Sequence, residues 1–452
     1  MKTLRNFKEA ISPTQILPIG FLTIIIFGTI ILMLPISTNN GSLSFLNALF
    51  TATSATCVTG LVVVDTGTYF TVFGQSVILA LIQFGGLGFM TVATFLFIAV
   101  GKKISLKERM TMAESLGETQ LTGILRLALN ILKVTFLIEI AGACILAIRF
   151  IPIYGSGKGI WYSIFHSVSA FCNAGFDLIG NYASFTAFVT DPLLCFTIIA
   201  LIIIGGLGFG VVMDVYRNHK FSALRAHSKL VLCVTAFLLL AGTILFMTFE
   251  YNNPNTIGNL GFLDKLMASF FQSVTTRTAG FNTIDQLRLT DSSKMISIVL
   301  MFIGGAPAGT AGGIKITTIA VLILVVRALI KNRTDIEVFK RRLPKTIFSK
   351  SLAIFLIGMS ALMVAVIIIS TNEQFTAVGQ AGFLNQLFEV ASAMGTVGLS
   401  TGVTGHASEL TKVVLCVLMF MGRVGLLTIA FALGSKSDKS VIKYPEEDIL
   451  VG

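Results

Sequence analysis

The chain has 452 residues, 54% hydrophobic and 12% charged, with a mean hydropathy of +0.87. A soluble domain carries roughly twice that charged share, so the composition excludes an ordinary soluble fold and points to a polytopic helical membrane protein. The net charge of +11 is not a nucleic-acid signal: Lys and Arg concentrate at 2–8, 102–126, 217–229, 331–350 and 436–443, and the positive-inside bias assigns those segments to the cytoplasm.

The first apolar run, 18–36, is long enough to cross a membrane. No small-residue cleavage site follows it, so it reads as a transmembrane helix and not as a signal peptide. After a polar stretch at 37–42, the segment 44–56 is too short to cross and is expected to be a pore helix. It runs into Ala55-Thr56-Cys57-Val58-Thr59-Gly60-Leu61. A second span is expected at about 75–100, carrying Phe84-Gly85-Gly86-Leu87-Gly88.

The stretch around Gly60 returns three times, at intervals of roughly 110 residues, the mark of an internal repeat. The echoes are Ala170-Phe171-Cys172-Asn173-Ala174-Gly175-Phe176, Thr275-Thr276-Arg277-Thr278-Ala279-Gly280-Phe281 and Ala393-Met394-Gly395-Thr396-Val397-Gly398-Leu399. Upstream of each glycine, in one register, stand Phe50, Phe165, Phe270 and Phe388. The second unit has spans at 127–150 and 192–215 around a pore segment at 161–176. The third has a span at 229–250, a pore segment at 264–281 and a second span from 293; the fourth has spans at 350–370 and 412–434 around 384–399.

The expected fold is therefore an all-α polytopic membrane protein. It has four tandem helix–pore loop–helix repeats, eight transmembrane helices and four re-entrant loops around a central pore. The repeats are 1–100, 101–216, 217–330 and 331–434, and a cytoplasmic tail follows at 435–452. Both termini are expected in the cytoplasm.

Four loops on one axis point to a ring of backbone carbonyls that replaces a cation's hydration shell. Glycine suits such a ring because it tolerates positive φ, which turns successive carbonyls the same way. The expected filter residues are Val58, Thr59, Gly60, Asn173, Ala174, Gly175, Thr278, Ala279, Gly280, Thr396, Val397 and Gly398.

The second spans carry Gly85-Gly86, Gly205-Gly206, Gly304-Gly305 and, in the fourth, Gly422-Arg423. The glycines are expected to permit close helix contact. A cation at mid-span marks a functional site, so Arg423 is placed at the pore below the filter. In the third unit the span is interrupted at 304–313, where Gly304, Gly305, Pro307, Gly309, Gly312 and Gly313 rule out a stable helix interior. A broken span marks an ion pathway. This loop, with Arg423, is expected to form a gate beneath the filter, and Lys315 is expected to point to the cytoplasmic vestibule.

Other chemistry is missing from the sequence. The six cysteines form no CxxC pair, and His166, His219, His227 and His406 have no metal-ligand spacing. The Gly-rich loop lacks a phosphate-binding GK[ST], and no nucleophile–base pair of an enzyme appears. Glu139 is the clear acid within a span, with Lys133 on another face; it reads as a partner for a cation on a neighbouring helix, with ion relay as the alternative. Arg277 either approaches the ion path or turns away to support its loop.

Together, the four loops, the Gly-rich interruption and Arg423 resemble the Trk/Ktr/HKT superfamily of potassium transporters, over nearly the whole chain. The short N-terminus and eight spans resemble the membrane subunit of a bacterial Ktr system more than the longer Trk-type subunits. The resemblance implies a homodimer in the plasma membrane, with one pore per protomer. It implies a cytosolic KtrA-like regulatory ring on which ATP or ADP controls flux, so that nucleotide acts only through a partner and K+ is the substrate ion. The segments 217–229 and 331–345 are candidate docking surfaces, although positive-inside bias also explains their charge. In the family, Ser in place of the first filter glycine favours Na+; all four glycines are present here, which implies K+. A Na+- or H+-coupled K+ symporter, or a poorly selective cation channel, is the rival expectation.

Overall fold

The computed structural model describes residues 13–39, 41–88, 109–110, 112, 123–333, 335–374, 376–380 and 382–433. The basic segment 2–8, residues 89–100 of the second span, Lys102, Lys103 and Lys107, and the tail 435–452 lie outside the described residues.

The chain is mostly helical. It opens with α1 (Pro13–Leu32), α2 (Phe45–Thr56) and α3 (Val72–Leu87), then α4 (Ile124–Tyr154), α5 (Ser156–Phe171), α6 (Pro192–Gly206) and α7 (Phe209–Asn218). Next come α8 (Ala226–Glu250), α9 (Phe262–Thr275), α10 (Asp291–Phe302) and α11 (Ile316–Ile330). A hairpin of β1 (Ile336–Val338) and β2 (Arg341–Leu343) leads to α12 (Lys345–Asn372), α13 (Phe383–Gly395), α14 (Glu409–Val424) and α15 (Leu426–Leu433). Among the described residues, α1, α4, α8 and α12 are long and apolar enough to cross a membrane.

Each long helix is followed by a short one, α2, α5, α9 or α13, that is buried over its C-terminal half. Phe50, Phe165 and Phe388 are fully buried at their expected positions, but in the third unit the buried ring is Phe271 and Phe270 is only partly buried. The third loop is one residue shorter between this anchor and its glycine, which one sequence register cannot accommodate.

The next helices, α3, α6, α10 and α14, start at side-chain caps, Thr71, Asp191, Thr290 and Ser408. Each cap is tied to the preceding long helix near its end or to the turn just beyond it. The Thr71 hydroxyl donates to Ile36 O at 2.6 Å, Arg149 pairs with Asp191, the Thr290 N–H donates to Glu250 at 2.9 Å, and the Ser408 N–H donates to Glu373 at 2.8 Å. Glu373 also accepts from the hydroxyls of Thr376 and Thr411, both at 2.6 Å. Burial would raise its pKa, but the donors, Ser408 foremost, outweigh burial and hold it at about 2. A carboxylate with a depressed pKa stabilises the fold above its ordinary pKa, and that contribution fades as pH falls from 4.5 toward 2. Glu373→Gln should lower Tm by several degrees at pH 7, and the gap to the parent should close progressively below pH 4.5. A gap that stays constant down to pH 3 in thermal unfolding would exclude this account.

The second spans expected at 192–215 and 412–434 are not continuous, and the one expected at 75–100 is described only as far as Gly88. The described helix α3 ends at Gly88, α6 gives way to α7 across a 99° bend at Gly208, and α14 ends at Gly425. These glycines have φ of +80°, +86° and +99°, a left-handed backbone that halts a helix. The third span is broken as expected, between α10 and α11. On the side opposite the caps, the ring of Phe221 meets Phe339 at the hairpin tip edge-on, 6.4 Å between centroids. This contact brings one residue of the basic segment 217–229 against one of 331–345.

Candidate functional site

The short helices deliver four loops with one backbone pattern. Each has two left-handed residues: Val58 and Gly60 (φ 57° and 92°), Asn173 and Gly175 (58° and 70°), Thr278 and Gly280 (68° and 80°), Thr396 and Gly398 (50° and 93°). Val58, Thr278 and Thr396 are β-branched, for which positive φ is an outlier costing roughly 1–3 kcal/mol. Such strain persists only where the surroundings dictate the conformation.

The loop N–H groups turn back onto the short helices. Thr59, Ala174 and Val397 donate to the carbonyls of Ser54, Ser169 and Ser392 at 2.8 Å, and Ala279 donates to Thr275 O at 3.0 Å. The N–H groups of Gly60 and Gly398 donate to the hydroxyls of Ser54 and Ser392 at 3.0 and 3.1 Å. The hydroxyls of Ser169 and Thr275 instead donate to Phe176 O and Phe281 O at 2.7 and 2.6 Å. With the donors used behind the loops, the carbonyls of Val58, Thr59, Asn173, Ala174, Thr278, Ala279, Thr396 and Val397 accept no hydrogen bond among the described residues. Buried acceptors of this kind call for water or a cation.

The loops close on one another. A Cβ on Gly60 would strike the carbonyl oxygen of Ala174, one on Gly175 that of Ala279, one on Gly280 that of Val397, and one on Gly398 that of Thr59. The succession returns to its start, so the four glycines and four carbonyls form a ring. A cavity of about 380 Å³ opens directly onto all four glycines and is also lined by Asp177 and Asp285.

The Gly-rich loop is pinned at its neck and held across several elements. The neck is a bridge between Ile303 and Ile314, closed by Gly304 N–H to Ile314 O at 2.8 Å and Ile316 N–H to Gly305 O at 3.1 Å. Against α6 and α7, Ala306 N–H reaches Gly206 O at 3.0 Å, Thr310 N–H reaches Gly205 O at 3.2 Å, and Phe209 N–H reaches Ala308 O at 3.1 Å. Pro307 O and Gly309 lie against Gly208. Against α14, Gly313 N–H donates to Gly422 O at 3.2 Å, and Gly312 packs on the side chain of Thr396. The Arg423 guanidinium donates to Thr310 O, to Gly85 O and, at 3.1 Å, to Gly86 O. It therefore joins the loop to α3. The Thr310 hydroxyl donates to Phe171 O at 3.1 Å. The Asn173 side chain lies between the hydroxyls of Thr278 and Thr310, 3.4 Å from each.

All the expected filter residues thus come together, and so do the expected gate residues. Three expectations need correction. The glycine pairs serve more than helix contact: Gly85, Gly205 and Gly422 press against the carbonyls of Thr56, Phe171 and Met394 at the ends of short helices. Lys315 folds back to donate to Ala311 O at 2.6 Å and lines a cavity of about 170 Å³ with Met394, Gly422 and Leu426. Glu139 has no cationic partner among the described residues; it accepts from the Gln83 amide at 3.1 Å, with the Cys172 thiol beyond. Arg277 turns away to Gly304 O, at 3.4 Å. Sequence reasoning missed the hydroxyls of Ser54, Ser169, Thr275 and Ser392 and the hub at Thr310. A Ser or Thr recurring five or six residues before each glycine was the available signal.

The cation transport protein model of TrkH matches residues 6–443. The chain is 43% identical to Ktr system potassium uptake protein B of Bacillus subtilis, over 98% of this chain and 97% of the relative. It is 41% identical to the potassium/sodium uptake protein NtpJ of Enterococcus hirae, over 99% of both. The potassium transporter TrkH from Vibrio parahaemolyticus has the same fold, with a TM-score of 0.70 and 20% identity over 92% of this chain and 84% of that one. The chain belongs to the Trk/Ktr family of cation transport proteins, a family of transporters and not of enzymes.

Proposed function

We propose that this chain takes up K+ across a bacterial plasma membrane through the ring at Gly60, Gly175, Gly280 and Gly398. The carbonyls of Thr59, Ala174, Ala279 and Val397 replace the hydration shell, and the ion moves down its electrochemical gradient. The observation that carries this reading is the closure of four unlike loops into one ring of unpaired carbonyls. The names of the relatives, potassium uptake protein B and potassium/sodium uptake protein, agree with a monovalent cation cargo.

In this reading the four repeats, 1–100, 101–216, 217–330 and 331–434, supply eight spans, with both termini and the tail 435–452 in the cytoplasm. The loop 304–313 and Arg423 form the inner gate. The chain works as a homodimer under a KtrA-like ring, which brings the nucleotide and docks on the surface at Phe221 and Phe339. The second reading is Na+-coupled K+ symport or loose selectivity, favoured by the likeness to a potassium/sodium uptake protein.

Liposomes containing the chain, with and without its ring, test the proposal. K+ and Rb+ uptake well above Na+ uptake is expected, with a current that reverses at the K+ equilibrium potential whatever the Na+ gradient. Equal uptake of all three ions would overturn selectivity at the ring. A reversal potential that follows Na+ would favour the second reading.

A further inference from the structure

Arg277 is a costly residue to keep. It is 7% exposed, its Nε has no hydrogen-bond partner among the described residues, and no carboxylate pairs with it there. An unpaired buried cation is strongly destabilising, so a position in the wall of a cation site calls for a compensating use. Its guanidinium donates to Gly304 O, in the first residue of the Gly-rich loop, at 3.4 Å. Its backbone belongs to the third filter loop, immediately before Thr278.

Gly304 is the neck of the loop, where the chain enters and, through Ile314, leaves. Arg423 holds the same loop at Thr310. Two guanidinium groups from different elements thus grip the neck and the tip. Arg277 also lines a cavity of about 20 Å³ with Ile202, Thr235, Leu239 and Gly305. That space holds about one water molecule.

We infer that Arg277 is a positioning residue of the gate: it fixes the neck of the 304–313 loop to the third filter loop, so that the loop pivots about Gly304 when Arg423 lets go of Thr310. The filter wall and the gate then share one rigid joint. A tip that moves about a fixed neck has two discrete positions, open and closed, as switching elements require. This rests on the gate assignment made above. A neck without its anchor lets the tip leave its closed position more readily, with the glycine ring itself intact.

The test compares Arg277→Gln, Arg277→Lys and Arg423→Ala in ring-free liposomes, reading K+ and Na+ flux and the cytosolic labelling rate of a thiol at Ala308→Cys. Arg277→Gln is expected to raise basal K+ flux and thiol labelling by about tenfold, the shift for losing one charge-assisted hydrogen bond. The K+/Na+ ratio should stay at the parent value, and Arg277→Lys, which keeps the charge on the donor, should restore most of the control. A fall in the ion ratio without faster labelling would make Arg277 part of the filter and overturn the inference. Faster flux in Arg423→Ala with parental labelling in Arg277→Gln would sink the anchor and leave the gate standing. Parental flux in Arg423→Ala would remove the gate and the anchor together. Labelling of the Lys variant reads the loop position even where the Gln variant conducts no current.

Discussion

Arg423→Ala should raise K+ flux through the ring-free chain by roughly tenfold to a hundredfold. The guanidinium donates to three carbonyls, one on the Gly-rich loop and two on α3. Charge-assisted bonds contribute about 1.5–3 kcal/mol each, and the cost of keeping a guanidinium dry offsets part of that. A net loss of about 3 kcal/mol shifts a closed-to-open ratio about a hundredfold. A second effect acts in the same direction. At about 8 Å and an effective dielectric near 20, a fixed positive charge repels a passing K+ by about 2 kcal/mol.

Two further variants separate these effects. Arg423→Lys keeps the charge and loses the planar fork that spans Thr310 and Gly85, so a rise in flux there isolates the latch. Arg423→Gln loses both the fork and the charge, so a rise beyond that of the Lys variant measures the repulsion. Parental flux in all three variants, measured on protein of normal thermal stability, would exclude Arg423 from gating.

Much of this site is legible in the sequence because ring geometry demands recurrence. A glycine that must sit against a neighbour's carbonyl cannot change identity in any of the four loops. Gly60, Gly175, Gly280 and Gly398 therefore stand out of a chain containing 42 glycines. The interruption at 304–313 is legible because so many glycines beside a proline defeat any helix. The helix end at Gly88 and the breaks at Gly208 and Gly425 are not legible. Each is a single glycine in an apolar run, where glycine also serves close packing, and only the φ value separates the two uses. The shift from Phe270 to Phe271 is hidden because the two rings are adjacent and chemically identical. The direction of Arg277 depends on Gly304, which lies in another helix–loop element, and no local pattern encodes that contact. The pairing of Glu139 with Gln83 was missed because an acid in a span suggests a cation, and a neutral amide leaves no charge pattern to find.

Gly60→Ser should lower the K+/Na+ flux ratio by about tenfold, a loss of about 1.4 kcal/mol of differential coordination. Gly60 has φ +92°, and the new Cβ would fall inside van der Waals contact of Ala174 O, with the Gly175 backbone 3.1 Å away. Both neighbours are backbone, so neither can rotate aside as a side chain would. The ring must open at the joint between the first and second loops, and Ala174 O must leave its place. K+ then loses one matched oxygen, while the smaller, more strongly hydrated Na+ keeps part of its water and passes more easily. Gly402→Ser is the control. Gly402 lines the same outer cavity with φ +88°, but its Cβ would meet nothing within 4 Å. It carries the same backbone strain without the collision, so its ion ratio should equal that of the parent. A parental ratio in Gly60→Ser, or an equal fall in Gly402→Ser, would mean that the carbonyl ring does not set the selectivity.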